Sequence, residues 1–265
     1  MKQRSAILRH GSLFSGIGGF DLAAQWIGWR NVFHCEISGF CNTILHHYWP
    51  RAQTIKNIVG YEWEKWKQKV DVLSGGWPCQ KYSVAGKRTG NEPLKDAMLQ
   101  AIRRIRPAWC VLENVRGFLT AKFAGEHRLL CEQLEGMGYS VQTLDIDAAS
   151  CGVPTVERHI WIVAQAGGQR SQGYYPRQVP DLTATKEEFQ RGYPGKFSRW
   201  RLPASRVCGL GERVSARLDT GAISAKSWHA ESLQAYGNAI VPQVAFYIFR
   251  SIQYAMNRLS KNQRS

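Results

Sequence analysis

At 265 residues, 44% of them hydrophobic, the chain is long enough to bury a real core as one large domain. Its 35 Lys and Arg against 20 Asp and Glu leave a formal charge of +15, a surplus that favours a polyanionic partner. No apolar run approaches the roughly twenty residues of a membrane span. The seven cysteines (35, 41, 79, 110, 131, 151, 208) are odd in number and form no C-x-x-C pair, so no metal site is expected. With no signal peptide, they point to a reducing, cytoplasmic setting.

An apolar stretch over residues 6–14 ends in Leu13-Phe14 and reads as a strand. Ser15-Gly16-Ile17-Gly18-Gly19 follows, and Phe20 to Trp26 has helical apolar spacing. Strand, glycine loop and helix together let backbone amides meet a ligand near a helix N-terminus. The loop is neither G-x-G-x-x-G nor a lysine-bearing P-loop, so neither dinucleotide nor ATP binding follows from it. Val32 to Cys35 reads as a second strand ending at Glu36, about twenty positions past the glycine loop, where nucleotide-type folds hold ribose hydroxyls. A solvated strand-end carboxylate fits that spacing equally well.

Residues 38–49 are expected to be helical, 54–58 to be either an edge strand or a loop, and 61–69 to be a helix rich in Trp and Lys. Val70 to Leu73 reads as a buried strand leading into Gly75-Gly76-Trp77-Pro78-Cys79, so a cysteine sits in a loop at the carboxyl end of a strand. An isolated cysteine is ordinarily just a small hydrophobe. The polar, glycine-containing stretch of residues 80–90 beyond it is able to move. Glu92 to Arg106 places Leu94, Met98, Ile102 and Ile105 on one helical face, and Pro107 ends it. Trp109 to Leu112 is the next strand and delivers Glu113-Asn114-Val115 to the same sheet edge as Cys79. Residues 126–136 read as a helix stopped at Gly136, and 141–146 and 160–163 as strands. The alternation predicts an α/β fold with a doubly wound, Rossmann-like sheet.

From Ala166 the texture changes to Gly, Pro, Gln and Tyr. Between Arg191 and Arg217 basic residues, among them Arg199 and Arg201, interleave with Tyr193, Phe197 and Trp200, a mixture suited to phosphate and base contact. Tyr236 to Pro242 then precedes an apolar helix over 243–257.

Taken in order, these motifs resemble those of the cytosine-C5 DNA methyltransferases. Phe14-Ser15-Gly16-Ile17-Gly18-Gly19-Phe20 resembles the family's S-adenosylmethionine loop, and Glu36 its ribose-binding acid. Gly76-Trp77-Pro78-Cys79-Gln80, with Ser83 and Ala85-Gly86-Lys87, resembles the catalytic Pro-Cys-Gln loop. Glu113-Asn114-Val115 matches the Glu-Asn-Val motif letter for letter. Gly237-Asn238-Ala239-Ile240-Val241-Pro242 resembles the closing motif, and Leu94 falls where a residue flanking the cofactor is expected. The set spans residues 12–256.

The resemblance implies S-adenosyl-L-methionine as cofactor, held by Phe14, Gly16, Ile17, Gly19, Glu36, Ile37, Asn57, Ile58, Gly76, Pro78, Leu94, Asn238 and Ala239. It implies that Cys79 adds to carbon 6 of a flipped cytosine while Glu113, protonated or sharing a proton, bonds N3 and the exocyclic amine. Gln80, Ser83, Lys87, Arg88, Arg199 and Arg201 are the expected contacts to double-stranded DNA. A methyltransferase domain over 1–165, a small recognition region over 166–205 and a return to the catalytic domain over 206–265 are expected, in a monomer.

Two departures stand out. Asn57 occupies a position where the family has an acid. The family's Gln-x-Arg-x-Arg is replaced by Thr155-Val156-Glu157-Arg158-His159, so its arginines fall on Glu157 and His159 and Arg158 is one residue out of register. Either a bulge presents Arg158, or His159 serves as a shorter, titratable donor, or catalysis is weakened. An RNA cytosine-C5 methyltransferase and a catalytically silent binder of DNA or S-adenosylmethionine are the rival expectations.

Overall fold

The computed structural model describes residues 7–78, 92–153, 155, 157–167, 231–232 and 234–262. The chain divides into two compact units, one of Met1–Tyr175 with Ile240–Ser265, the other of Pro176–Ala239.

The first unit is built on a seven-stranded sheet. Its strands are β1 (Arg9–Leu13), β2 (Arg30–Cys35), β3 (Gln53–Ile55), β4 (Val72–Gly76), β5 (Trp109–Val115), β6 (Tyr139–Asp147) and β7 (Arg158–Ala166), in the order β3-β2-β1-β4-β5-β7-β6. The first five strands in that order run parallel, and β1 and β4 are buried on both faces, one apolar and one carrying buried His and Ser. β7 is antiparallel to both β5 and β6. The reason lies in the connection: β6 and β7 are joined by a short segment with a single 3-10 turn at Ala148–Cys151, too little for a crossover helix. Strand order reverses between β1 and β4, so the topological switch point lies at their carboxyl ends, where open α/β sheets bind ligands.

Among the described residues, helices in the first unit are α1 (Gly19–Trp26), α2 (Gly39–Tyr48), α3 (Glu92–Ile105), α4 (Ala124–Gly136) and α5 (Pro242–Asn262). Met98, Ile102 and Ile105 of α3 are fully buried, with Leu94 packed at the margin of the same core, as their shared face predicts. The segment 61–69 differs from expectation. Only Trp63–Trp66 is helical, as one 3-10 turn. Trp63 is buried against Phe33, with ring centroids 5.6 Å apart, and Gln68 takes a positive φ of 61°, which ends any helix there. The stretch 54–58 resolves into a short edge strand, β3, and a following turn.

Alternation along the strands sorts the sheet into two faces. Leu13, Phe33, Leu73, Leu112 and Ile162 join the large apolar core that also takes α3 and α4. The opposite face carries His10, Ser12, His34 and Ser74, and here α1 packs against α5. Phe249 of α5 joins them, its ring 4.7 Å from Trp29, 6.2 Å from Phe20 and 5.4 Å from His10. Phe20 meets Trp161 of β7 edge-on at 5.9 Å. The last helix is thereby tied to α1 and to the sheet by aromatic contacts.

Candidate active site

β1 ends in a loop of unusual backbone. Phe14 and Gly16 take φ of 51° and 53°, and Gly18, the N-cap of α1, takes 89°. A positive φ is tolerable for glycine but costly for an aromatic residue, and such strain gathers at ligand-binding turns. The loop is held from beneath. The Ser15 amide donates to the Cys35 carbonyl at 3.1 Å, and the Ser15 and Ser12 hydroxyls pair at 2.7 Å. The Ser12 hydroxyl donates to Asp21 Oδ2 at 2.8 Å, and Asp21 Oδ1 lies 3.2 Å from His34 Nδ1. Asp21 and His34 are both fully buried, so this polar network has no access to water.

Glu36 follows β2 and reaches across the same crevice. Its carboxylate accepts from the Gly16 amide and from the Ser38 amide, each at 2.8 Å. Ile37 beside it is exposed, whereas Ile58 is buried. Asn57 is exposed, and its side-chain oxygen accepts from the Val59 amide at 2.9 Å. Gly16 faces open space, since a Cβ built there meets nothing within 4 Å.

The second half of the site lies beyond β4 and β5. The glycines Gly75 and Gly76, expected beyond the end of the strand at Leu73, are instead the last residues of β4, paired with Leu112 and Glu113. Their value is close approach. A Cβ on Gly76 would stand 2.7 Å from Glu113 Oε2 and 3.6 Å from Ile240 Cγ2, and one on Gly19 would stand 2.8 Å from Ile240 Cγ1. Ile240 of the closing motif therefore lies beside both the glycine loop and the strand end. Asn114, almost wholly buried, donates from Nδ2 to the Trp77 carbonyl at 3.2 Å and pins the backbone just ahead of Pro78.

Glu113 is 7% exposed and sits on the face covered by α1 and α5. His159 shares that face, because β7 runs in regular register with Val115 opposite His159 and Glu113 opposite Trp161. His159 Nδ1 lies 2.6 Å from Glu113 Oε1. Burial works against charge on the imidazole, but the hydrogen bond it donates to Glu113, then the charges of Glu113 and Glu157, outweigh it and raise the His159 pKa above its ordinary value.

Arg158 requires a correction. There is no bulge at the start of β7, so the two-residue period turns Arg158 to the other face. There its Nε donates to Asp145 Oδ1 at 2.8 Å, and Arg116 Nε takes Asp145 Oδ2 at 3.0 Å. A catalytic Arg158 does not fit this geometry, and the partner of Glu113 is His159.

Cys79, Gln80, Ser83, Lys87, Arg88, Arg199 and Arg201 lie outside the described residues. Asn238 and Ala239 belong to the second unit, where their amides donate to the Gln234 and Tyr236 carbonyls at 3.1 and 3.2 Å. Asn114, Asp21 and Ile240 were not singled out as site residues by the sequence. An Asn in the middle of an apolar strand and an Asp on the buried side of a helix are the signals they offered.

A family model described as C-5 cytosine-specific DNA methylase matches residues 8–200. The chain belongs to that family. It is similar to the type II methyltransferase M.NgoMIV of Neisseria gonorrhoeae, 26% identical over 236 residues that cover 86% of this chain and 74% of that one. It is 33% identical over 157 residues to M.MspI of Moraxella sp., covering 57% of this chain and 37% of the relative. With M.PspPI of Psychrobacter sp. it shares 31% identity over 49% of this chain and 32% of the relative, so the chain spans only part of several curated relatives. Among solved structures, the S. pombe Dnmt2 methyltransferase aligns over 91% of this chain and 97% of its own with a TM-score of 0.58 at 17% identity. A Spodoptera frugiperda DNMT2 mutant covers 66% of this chain and 53% of its own, with a TM-score of 0.53 at 20% identity. These likenesses show a shared methyltransferase fold.

Proposed function

We propose that the protein methylates carbon 5 of cytosine in duplex DNA, with S-adenosyl-L-methionine as methyl donor. The observation that carries this reading is the meeting of Glu113, Gly76 and His159 at the carboxyl ends of β4 and β5, next to the switch point and beside a glycine loop whose Gly16 amide is held by Glu36. The donor set fits the cofactor. A strand-end carboxylate suits ribose hydroxyls, and the open space at Gly16 lets a ligand approach the backbone closely. Phe14, Gly16, Ile17, Gly19, Glu36, Ile37, Asn57, Ile58, Gly76, Pro78, Leu94, Asn238 and Ala239 are the proposed cofactor-binding residues. When bound, S-adenosylmethionine supplies an electrophilic methyl group for carbon 5.

The chain's own residues do the rest. The Cys79 thiolate adds to carbon 6 of an extruded cytosine and converts the ring to an enamine, nucleophilic at carbon 5. Glu113, facing the ring edge, supplies the proton that N3 takes up as the sulfur's electron pair enters the ring. After transfer, loss of the carbon-5 proton and expulsion of the Cys79 sulfur restore the aromatic base. Asn114 fixes the Trp77-Pro78 backbone from which Cys79 departs. Residues 166–205 are proposed to read the target, residues 1–165 and 206–265 to form the catalytic domain, and the protein to act as a monomer. Gln80, Ser83, Lys87, Arg88, Arg199 and Arg201 are the proposed DNA contacts.

The test supplies methyl-labelled S-adenosylmethionine with unmethylated mixed-sequence duplex DNA, and in parallel with RNA. Label in 5-methylcytosine of the duplex is expected, and Glu36→Ala should raise the KM for the cofactor roughly tenfold by losing about one charge-assisted hydrogen bond's contribution. Label in RNA alone would favour the RNA methyltransferase reading, and none in either would favour a silent binder.

A further inference from the structure

The family's arginine pair is missing from this chain, and a histidine has taken up the active-site carboxylate. We infer that His159 is a positioning residue that holds Glu113 and shares with it a dissociable proton which an arginine would not release, so that methyl transfer in this enzyme depends on the protonation of one imidazole. The inference rests on the cytosine methylation proposed above.

The geometry is specific. His159 Nδ1 and Glu113 Oε1 are 2.6 Å apart, both side chains are mostly buried, and the strands that carry them run in unbroken register. On the other side, Glu113 Oε2 occupies the space that Gly76 leaves by having no side chain, since a methyl group there would stand 2.7 Å from it.

Among the described residues, the charged groups around the imidazole are few. Glu113 faces it from β5, and Glu157 precedes it on its own chain segment; both carboxylates favour the imidazolium. On β6 the residue paired with His159 is Ile146, so Asp145 and Asp147 point to the opposite face. Asp145 is there taken up by Arg116 and Arg158, and Asp147 Oδ1 accepts from the Ala149 amide. On the helices covering this face, Asp21 is committed to Ser12 and His34, and Arg250 lies near Tyr247. The resulting preference is for the charged imidazole, in line with the raised His159 pKa.

The proton balance is simple. Before attack the pair is an imidazolium beside a carboxylate. As the thiolate forms its bond to carbon 6, His159 Nδ1 gives its proton to the Glu113 carboxylate, which passes a proton on to N3. The imidazole ends neutral, Glu113 ends ionised, and the ring adduct carries no net charge. When the sulfur leaves, the N3 proton returns by the same route. An arginine in place of His159 would hold the carboxylate equally well but would remain charged throughout, since its pKa lies above about 12.

The test follows the imidazole directly and then the rate. In the free full-length protein, NMR titration of the histidine rings, with His159 assigned by its loss in His159→Gln, should give a midpoint above the roughly 6.5 of an unperturbed histidine. Glu113→Gln should lower that midpoint. In single-turnover methyl transfer to unmethylated duplex DNA, the rate should fall as pH rises through the same midpoint, and His159→Arg should lose that alkaline limb. His159→Gln should lower the rate on the order of 100-fold, within the range for a misplaced proton donor. An His159 midpoint unmoved by Glu113→Gln, or an alkaline limb retained in His159→Arg, would overturn the inference. Absence of methyl transfer at every pH, with the NMR coupling intact, would instead overturn the proposed function and reduce the pair to a structural contact.

Discussion

Replacing Gly76 by alanine should remove about 100-fold or more of the methyl-transfer rate while leaving the protein folded. The added methyl group would stand 2.7 Å from Glu113 Oε2, inside any permitted contact. The atom it meets is the end of a flexible side chain, so the carboxylate rotates aside rather than the backbone giving way, and the stability cost stays small. That rotation breaks the 2.6 Å contact to His159 and carries the carboxyl group out of line with the base. A group that acts on charge developing in the transition state is worth about 10²–10³ in rate, and its value depends on position to within a fraction of an ångström. Steady-state kinetics beside a thermal melt checks both halves. An unchanged kcat would mean that Glu113 is not held against Gly76 for catalysis.

The largest effect on stability is expected from Phe249→Ala. The ring is fully buried between Trp29, Phe20 and His10, and its loss opens a cavity that rigid aromatic neighbours cannot fill. Deletions of this kind cost about 3–5 kcal/mol, and at about 2–4 °C per kcal/mol for a domain of this size the Tm should drop by roughly 6–20 °C. Because α5 begins beside Ile240, which packs on Gly19 and Gly76, cofactor binding should weaken in the same variant well below its Tm. A shift of less than about 3 °C would mean that the end of the chain is not tied to the sheet through this ring.

Much of this was legible in the sequence because it is carried by local patterns. Apolar runs bounded by Gly, Glu or Pro gave the parallel strands, and a shared face of Leu94, Met98, Ile102 and Ile105 gave α3. Other features depend on pairing across the sheet, which no local pattern reports. The sequence ends the strand at Leu73 and leaves Gly75-Gly76 outside it, whereas the neighbours Leu13 and Glu113 show why glycine is needed inside a strand. Arg158 and His159 are adjacent in sequence, and only the register of β7 decides which one meets Glu113. The segment 61–69 has helical composition, yet burying Trp63 against Phe33 sets its course after a single turn. Asp21 looked like one polar residue in an amphipathic helix until the sheet placed Ser12 and His34 against it.

The central claim is that this fold carries out thiol-dependent methylation of a flipped cytosine. The most direct measurement uses duplex DNA containing 5-fluorocytosine, the purified protein and S-adenosylmethionine, resolved on a denaturing gel. Fluorine at carbon 5 cannot leave as a proton does, so an enzyme that attacks carbon 6 and methylates carbon 5 is trapped on its substrate. The account predicts a slowly migrating protein–DNA band that requires the cofactor and disappears in Cys79→Ser. A band that persists in Cys79→Ser, or no band on DNA that the protein demonstrably methylates, would contradict it.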